Sequence, residues 1–192
     1  MRRIAAVALV AAALAAGAPH ARAAMRLDAW RGHVAIGFAH VVADSLDPPG
    51  SLSFSAGVDY PLAKGWRVGP TITLSLLGSS NLTRGSITAG LDYSMFDAAL
   101  LFTRTPAHGP VARWSVGPGV ASPQVALTLA AGGAGFRDVA LGEIRPELAA
   151  DASFLPRRMT IVAVGGELSA RVVPIPGRAT WNLLAARLAI HY

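Results

Sequence analysis

From Ser51 to Tyr60 the chain alternates without a break. Leu52, Phe54, Ala56, Val58 and Tyr60 fall on one side, and Ser51, Ser53, Ser55, Gly57 and Asp59 on the other. A period of two residues puts these sets on opposite faces of an extended strand. After a short turn, Pro61 to Gly65, the pattern resumes. Trp66, Val68, Ile72, Leu74 and Leu76 oppose Arg67, Gly69, Thr71, Thr73 and Ser75. Two such strands with a tight connection predict a hairpin. The constraint lies in the polar face, which is serine, threonine and glycine with an occasional charge. A soluble sandwich turns its polar face to water, where lysine and glutamate would crowd it, yet the only lysine of the chain, Lys64, sits in the turn. Small polar residues opposite large apolar ones suit a narrow interior and an apolar exterior.

Composition points the same way. The chain is 53% apolar and only 15% charged, against an ordinary charged share of about 25%. Past the N-terminus no run of about 18 apolar residues occurs, so a spanning helix is unavailable. The remaining choices are a soluble β-protein with a large core or a membrane barrel. The first residues indicate export. Arg2 and Arg3 form a basic start, Ile4 to Ala18 an apolar alanine-rich stretch, and Ala21-Arg22-Ala23 a small-x-small cleavage site. Residues 1–23 therefore read as a secretory signal peptide and 24–192 as a single barrel domain. Removing Arg2, Arg3 and Arg22 lowers the formal charge from +6 to +3, which argues against nucleic-acid binding. The absence of cysteine excludes a disulfide framework, thiolate chemistry and a zinc ribbon.

Alternation continues along the chain. Val34, Ile36 and Phe38 oppose His33, Ala35, Gly37 and Ala39. Ile87, Ala89, Leu91, Tyr93 and Met95 oppose Thr88, Gly90, Asp92 and Ser94, after which the register is expected to slip near Phe96-Asp97 before Ala98, Leu100 and Phe102. Trp114, Val116 and Val120 face away from Arg113, Ser115, Gly117 and Gly119. Gly132 to Glu143 reads as a glycine-bearing loop, Leu155 to Arg158 as a tight turn, and Met159 to Val173 as one long strand. Counting 86–104 and 111–132 as single strands gives eight, and splitting both gives ten. Eight leaves roughly 21 residues per strand and connection, which fits spans of about ten residues. Pro70 and Pro118 are awkward inside strands, because each deletes a ladder donor. A faint echo, Trp66-Arg-Val-Gly-Pro70 and Trp114-Ser-Val-Gly-Pro118, suggests that both tryptophans start strands at the same side.

The last stretch repeats the signature. Leu184, Ala186, Leu188, Ile190 and Tyr192 share one face, and Ala185, Arg187, Ala189 and His191 the other. An amphipathic helix is the alternative, since Leu184 and Leu188 also lie four apart. A strand ending on an aromatic carboxy-terminal residue resembles the closing strand of small bacterial outer-membrane β-barrels. The resemblance implies an all-β fold, a closed up-and-down antiparallel transmembrane barrel of eight strands (alternatively ten), sited in the outer membrane and monomeric. It also implies as partners outer-membrane lipid, lipopolysaccharide and the barrel-assembly machinery, which would read residues 184–192. Trp30, Tyr60, Trp66, Trp114, Phe154 and Tyr192 would then gather near the periplasmic strand ends as an aromatic girdle.

Inward-facing charges are expected at Arg31, Asp59, Arg67, Asp92, Arg113, Arg145, Glu147, Asp151, Glu167, Arg171 and Arg187. Confined in a narrow lumen they must pair. The expectation is a structural network built on Asp59, Arg67, Asp92, Arg113, Glu147, Asp151, Glu167, Arg171 and Arg187. An ion path or ligand site is the alternative, with Glu147 and Asp151 as a paired-carboxylate candidate if no arginine neutralises them. No catalytic, cofactor or metal residue is assigned. There is no Gly-x-Ser-x-Gly elbow and no His-Glu-x-x-His, and His33, His40, His108 and His191 are scattered. The functional expectation is a non-enzymatic envelope-structural or surface-interaction protein. The alternatives are a lipid-modifying outer-membrane enzyme and a soluble periplasmic barrel holding an apolar ligand.

Overall fold

The structure, a computed structural model, describes residues 30–42, 49–62, 65–106, 111–131, 134–140, 142–158, 162–174 and 180–192. The leader expected over residues 1–23, His108, Lys64 and the start of the strand expected from Met159 lie outside them. Nine strands follow one another: β1 (Arg31–Val42), β2 (Ser51–Pro61), β3 (Trp66–Arg84), β4 (Ile87–Arg104), β5 (Arg113–Ala131), β6 (Ala134–Ala140), β7 (Arg145–Arg158), β8 (Ala163–Val173) and β9 (Trp181–His191). All pairings are antiparallel, and among the described residues there is no helix. Eight strands close a ring: β1 pairs β2 on one side and β9 on the other, while β4 pairs β5 and β5 pairs β7. The closing seam runs from His33 opposite His191 to Val42 opposite Asn182, and Gly32 and Tyr192 exchange two backbone hydrogen bonds of 2.8 and 2.9 Å beyond it. The C-terminal stretch is thus a strand that leaves the ring no edge.

Alternation decides which face is which, and the barrel is inside out relative to a soluble protein. Leu184, Leu188 and Ile190 are 53%, 56% and 39% exposed, while Leu183, Ala185, Arg187 and Ala189 between them are buried. Every ring strand shows large apolar side chains outward, among them Ile36, Phe54, Leu74, Phe96, Val120, Leu148 and Leu168. From Val34 to Val42 this belt spans eight residue steps, about 26 Å along the strand and about 20 Å along the axis at the tilt of such barrels. A soluble barrel holding an apolar ligand would need the opposite assignment.

Three strands continue beyond the belt. The β3–β4 hairpin runs on to Arg84 opposite Ile87, where the two-residue turn Gly85-Ser86 puts Gly85 at φ +62°. The upper half of β5, Val125 to Ala131, pairs β6, whereas Arg113 to Ala121 pairs β7. The expected loop over Gly132–Glu143 therefore contains a strand, formed because the projecting half of β5 would otherwise leave a row of backbone donors and acceptors unpaired. The turn expected at Leu155–Arg158 is also corrected. There β7 continues to Arg158 through a register shift between Phe154 and Arg157 that absorbs Pro156.

The slip expected at Phe96-Asp97 does not occur, since β4 pairs β5 in one register from Ile87 to Phe102. The irregularity is on β3, between Leu76 and Gly78, where φ of Gly78 is +84°. What changes phase in β4 is the chemistry of the faces. Toward the end that carries the termini, Phe96, Leu100 and Phe102 are the exposed apolar residues; further up, Tyr93 and Met95 point inward and are buried. Consequently Asp92, expected to face inward, lies on the exposed outer face.

The two prolines lie mid-strand, at gaps in a ladder. Pairing of β2 with β3 skips from Gly57–Thr71 to Tyr60–Val68, beside Pro70. Pairing of β4 with β5 skips from Ala99–Gly119 to Phe102–Val116, beside Pro118.

Candidate functional site: the barrel interior

Inward-facing positions stack in three levels. At the end carrying the termini, Asp59 of β2 holds Arg67 of β3 through Nε, and Arg113 of β5 reaches across the lumen to donate from Nη2 to Asp59 Oδ2 at 2.6 Å. Arg113 Nη1 stands 3.2 Å from His191 Nδ1, and the His191 ring stacks on His33 at 5.6 Å. This cluster joins five strands across the narrow interior.

The middle level is built on two arginines. Arg171 of β8 is fully buried; it donates from Nη1 to Asp151 Oδ1 at 2.6 Å and from Nε to Asp97 Oδ1 at 3.3 Å. Its Nη1 also meets the Ala150 and Ala170 carbonyls at 3.3 and 3.1 Å. Arg187 of β9 donates to Glu167 Oε1 at 3.2 Å, Ser169 Oγ at 2.9 Å and Ser53 Oγ at 3.1 Å. Ser169 Oγ donates to Asp151 Oδ1 at 2.6 Å, which links the two arginine clusters. Inward-facing Ser53 and Ser169 thus add to the coordination of Arg187, although its Nη2 is left without a partner.

Glu147 of β7 differs from the other carboxylates. It is 6% exposed, yet neither of its oxygens has a hydrogen-bond partner, and Asp97 Oδ2 is likewise without one. Its carboxylate occupies the space above Gly119, where a Cβ would lie 2.6 Å from Glu147 Oε1. The buried carboxylates of these two levels are Asp59, Asp97, Glu147, Asp151 and Glu167, facing Arg67, Arg113, Arg171 and Arg187. Five acids meet four bases.

The third level, away from the termini, is apolar. Val41, Leu77, Tyr93, Met95, Val173, Trp181 and Leu183 form one buried cluster with Ala39, Ala121 and Ala185. The serine- and threonine-lined face of the first hairpin ends at Ser75, and Leu77 begins this cap.

Of the residues expected in a network, the structure brings together Asp59 with Arg67 and Arg113, Asp151 with Arg171, and Glu167 with Arg187. Asp151 is neutralised by Arg171, so Glu147 and Asp151 are not an equivalent carboxylate pair. Asp92 stands apart, outside and above the belt. Arg31 is exposed at the end of β1, and Arg145 pairs with the exposed Glu143 at 2.6 Å on the far rim. Sequence reasoning missed Asp97, Ser53, Ser169 and the apolar cap. Carrying the parity of Phe102 and Leu100 back along β4 without a slip identifies Asp97. For hydrolase chemistry, neither His33 nor His191 is hydrogen-bonded to a serine among the described residues, and no group of three histidine or carboxylate side chains forms a metal site there.

No protein-family model matches the sequence, and no curated protein matches it. Solved structures do. Ail, the attachment invasion locus protein of Yersinia pestis, aligns at TM-score 0.52 and 11% identity over 84% of this chain and 98% of its own. The same protein in complex with the heparin analogue sucrose octasulfate aligns at TM-score 0.53, with 11% identity, over 85% and 99%. Neisserial surface protein A aligns at 0.49 and 11% over 85% and 96%. The chain has the architecture of the small eight-stranded outer-membrane barrels. At this identity the likeness is one of fold.

Proposed function

We propose that this chain is a small, monomeric outer-membrane barrel with a non-enzymatic envelope or surface-interaction role. The observation that carries it is the belt of large apolar side chains on all eight ring strands around a charged interior. Hydrocarbon is the solvent that makes this arrangement stable, and a closed antiparallel ring is the β-structure that satisfies every backbone group there. Both chain ends of the barrel leave at one rim, which faces the periplasm, so that the β3–β4–β5–β6 projection faces outward. Exposed Ser79, Asn81, Thr83 and Arg84 on that projection are suited to surface contacts rather than chemistry.

The ion-paired interior serves as a filling that ties opposite strands together, and the apolar cap stops water from running through it. Conduction is accordingly not its role. Residues 1–23 direct export and are removed, residues 184–192 engage the barrel-assembly machinery, and the belt contacts outer-membrane lipid and lipopolysaccharide. Ail's description as an attachment protein supports the surface-interaction reading.

Fractionation of cells producing the full chain tests the proposal. The protein should sediment with outer membranes, need detergent for extraction, and migrate faster on a denaturing gel unheated than boiled. Extraction into buffer alone would overturn it. Stepwise conductance in a planar bilayer would overturn the filled-lumen part while leaving the membrane assignment intact.

A further inference from the structure

At the rim that carries the termini, Trp66 of β3, Arg104 of β4 and Trp114 of β5 lie side by side, each paired in register with the next. All three face outward. Arg67, Thr103 and Arg113, their neighbours in sequence, point inward, where Arg67 and Arg113 bind Asp59, and Thr103 Oγ1 meets Ser115 Oγ at 2.9 Å. Strands β3 and β5 stand about 10 Å apart with β4 between them. The two indoles nevertheless meet across that gap, edge to face at 5.3 Å. The Arg104 guanidinium lies 5.5 Å from the centre of the Trp66 ring, and Arg104 is exposed. Among the described residues it forms no ion pair.

We infer that Trp66, Arg104 and Trp114 form a binding site for the phosphate of a phospholipid headgroup in the leaflet facing the periplasm. Depth supports this. Phe102, the last outward apolar residue of β4, lies two residues above Arg104, about 7 Å along the strand and roughly 5 Å along the axis. The guanidinium therefore sits just past the end of the hydrocarbon belt, where lipid phosphates lie, with tryptophans in the layer they favour. The attraction of the Trp66 ring face holds the Arg104 guanidinium at this rim, and a planar guanidinium fork matches two phosphate oxygens. Among the described residues no carboxylate cancels this charge, which leaves it available to a lipid phosphate. The inference rests on the outer-membrane reading above.

Native mass spectrometry of the detergent-solubilised full-length barrel with limiting phosphatidylglycerol tests it. The unchanged protein should retain one lipid through mild activation, and Arg104→Gln should lower that retention roughly tenfold, the factor expected for one charge-assisted contact. Both should keep their heat-modifiable migration. Equal retention by Arg104→Gln would overturn the site, and so would displacement of the lipid by millimolar inorganic phosphate, which would mark a general anion site. If Arg104→Gln gives no heat-modifiable barrel, Arg104→Lys decides. It keeps the charge but not the planar edge, so at least twofold weaker retention is expected and unchanged retention refutes the assignment. Loss of heat-modifiability in the unchanged protein would instead count against the barrel reading.

Discussion

Arg171→Met is the most informative perturbation of the interior. The substitution removes a guanidinium that meets two carboxylates, Asp97 and Asp151, and two backbone carbonyls, at a position with no exposure. Methionine fills much of the volume but leaves five buried carboxylates facing three arginines. Stranding one partner of a buried pair costs about 3–5 kcal/mol, two to three and a half orders of magnitude in the folding constant. Equilibrium urea unfolding in lipid vesicles, followed by the heat-modifiable gel shift, measures it. Because the cost comes from the charges left behind, Arg171→Met combined with Asp151→Asn should recover about half of it or more, through a coupling a double-mutant cycle isolates. A loss under about 1 kcal/mol for Arg171→Met, or additive losses in the double variant, would refute the view that the pairs are dry and coupled.

Three further perturbations separate the parts of the barrel. Glu147→Gln replaces a buried carboxyl that has no hydrogen-bond partner and should leave stability unchanged or raise it by about 1–2 kcal/mol; a lower urea midpoint would show that the carboxyl is compensated. Leu188→Arg, in the belt at 56% exposure, should cost about 2–4 kcal/mol in a bilayer, while Thr83→Arg on the projection should change stability by under about 0.5 kcal/mol. Equal effects in the same unfolding assay would refute the assignment of the belt to hydrocarbon. Gly117→Ala would push a Cβ to 1.9 Å from the Leu100 carbonyl oxygen, whereas one on Gly166 meets nothing within 4 Å. The first should abolish the unheated fast band, the second should not, and a normal band for Gly117→Ala would contradict the strand approach described.

Strand identity and closure were legible because they depend on local alternation. Leu52 to Tyr60 and Leu184 to Tyr192 each state a face, and the face decides the pairing. Legibility failed where the rule relating chemistry to face is not uniform along the barrel axis. At membrane depth, apolar means outward. Beyond the belt the exterior meets water, and Tyr93 and Met95 turn inward with Leu77 and Leu183. A reader holding one rule for the whole strand must insert a slip at Phe96-Asp97 and assign Asp92 to the lumen, although the backbone of β4 runs straight through. The pairing partners of the charges were illegible for another reason. Arg113 and Asp59 are 54 positions apart, and Arg171 and Asp97 are 74 apart. Only ring closure and register bring such residues to one level.

The repeated Trp-x-Val-Gly-Pro shows how a sequence echo can arise from shared geometry. In both copies the glycine is where the preceding strand presses closest. A Cβ on Gly69 would lie 1.8 Å from the Val58 carbonyl oxygen, and one on Gly117 lies as close to that of Leu100. In both, the next residue is a proline beside a gap in that same ladder. A narrow ring must coil its strands tightly, and coiling brings backbones too near for a side chain while breaking the regular pairing. Glycine accommodates the approach, and proline occupies a position whose missing N–H has no ladder partner to lose. The tryptophan, three residues before each glycine, falls at the rim by the same register. Coiling at two equivalent corners therefore also sets Trp66 and Trp114 on either side of Arg104. One backbone constraint, met twice, accounts for both copies of the echo and for the pair of indoles at this rim.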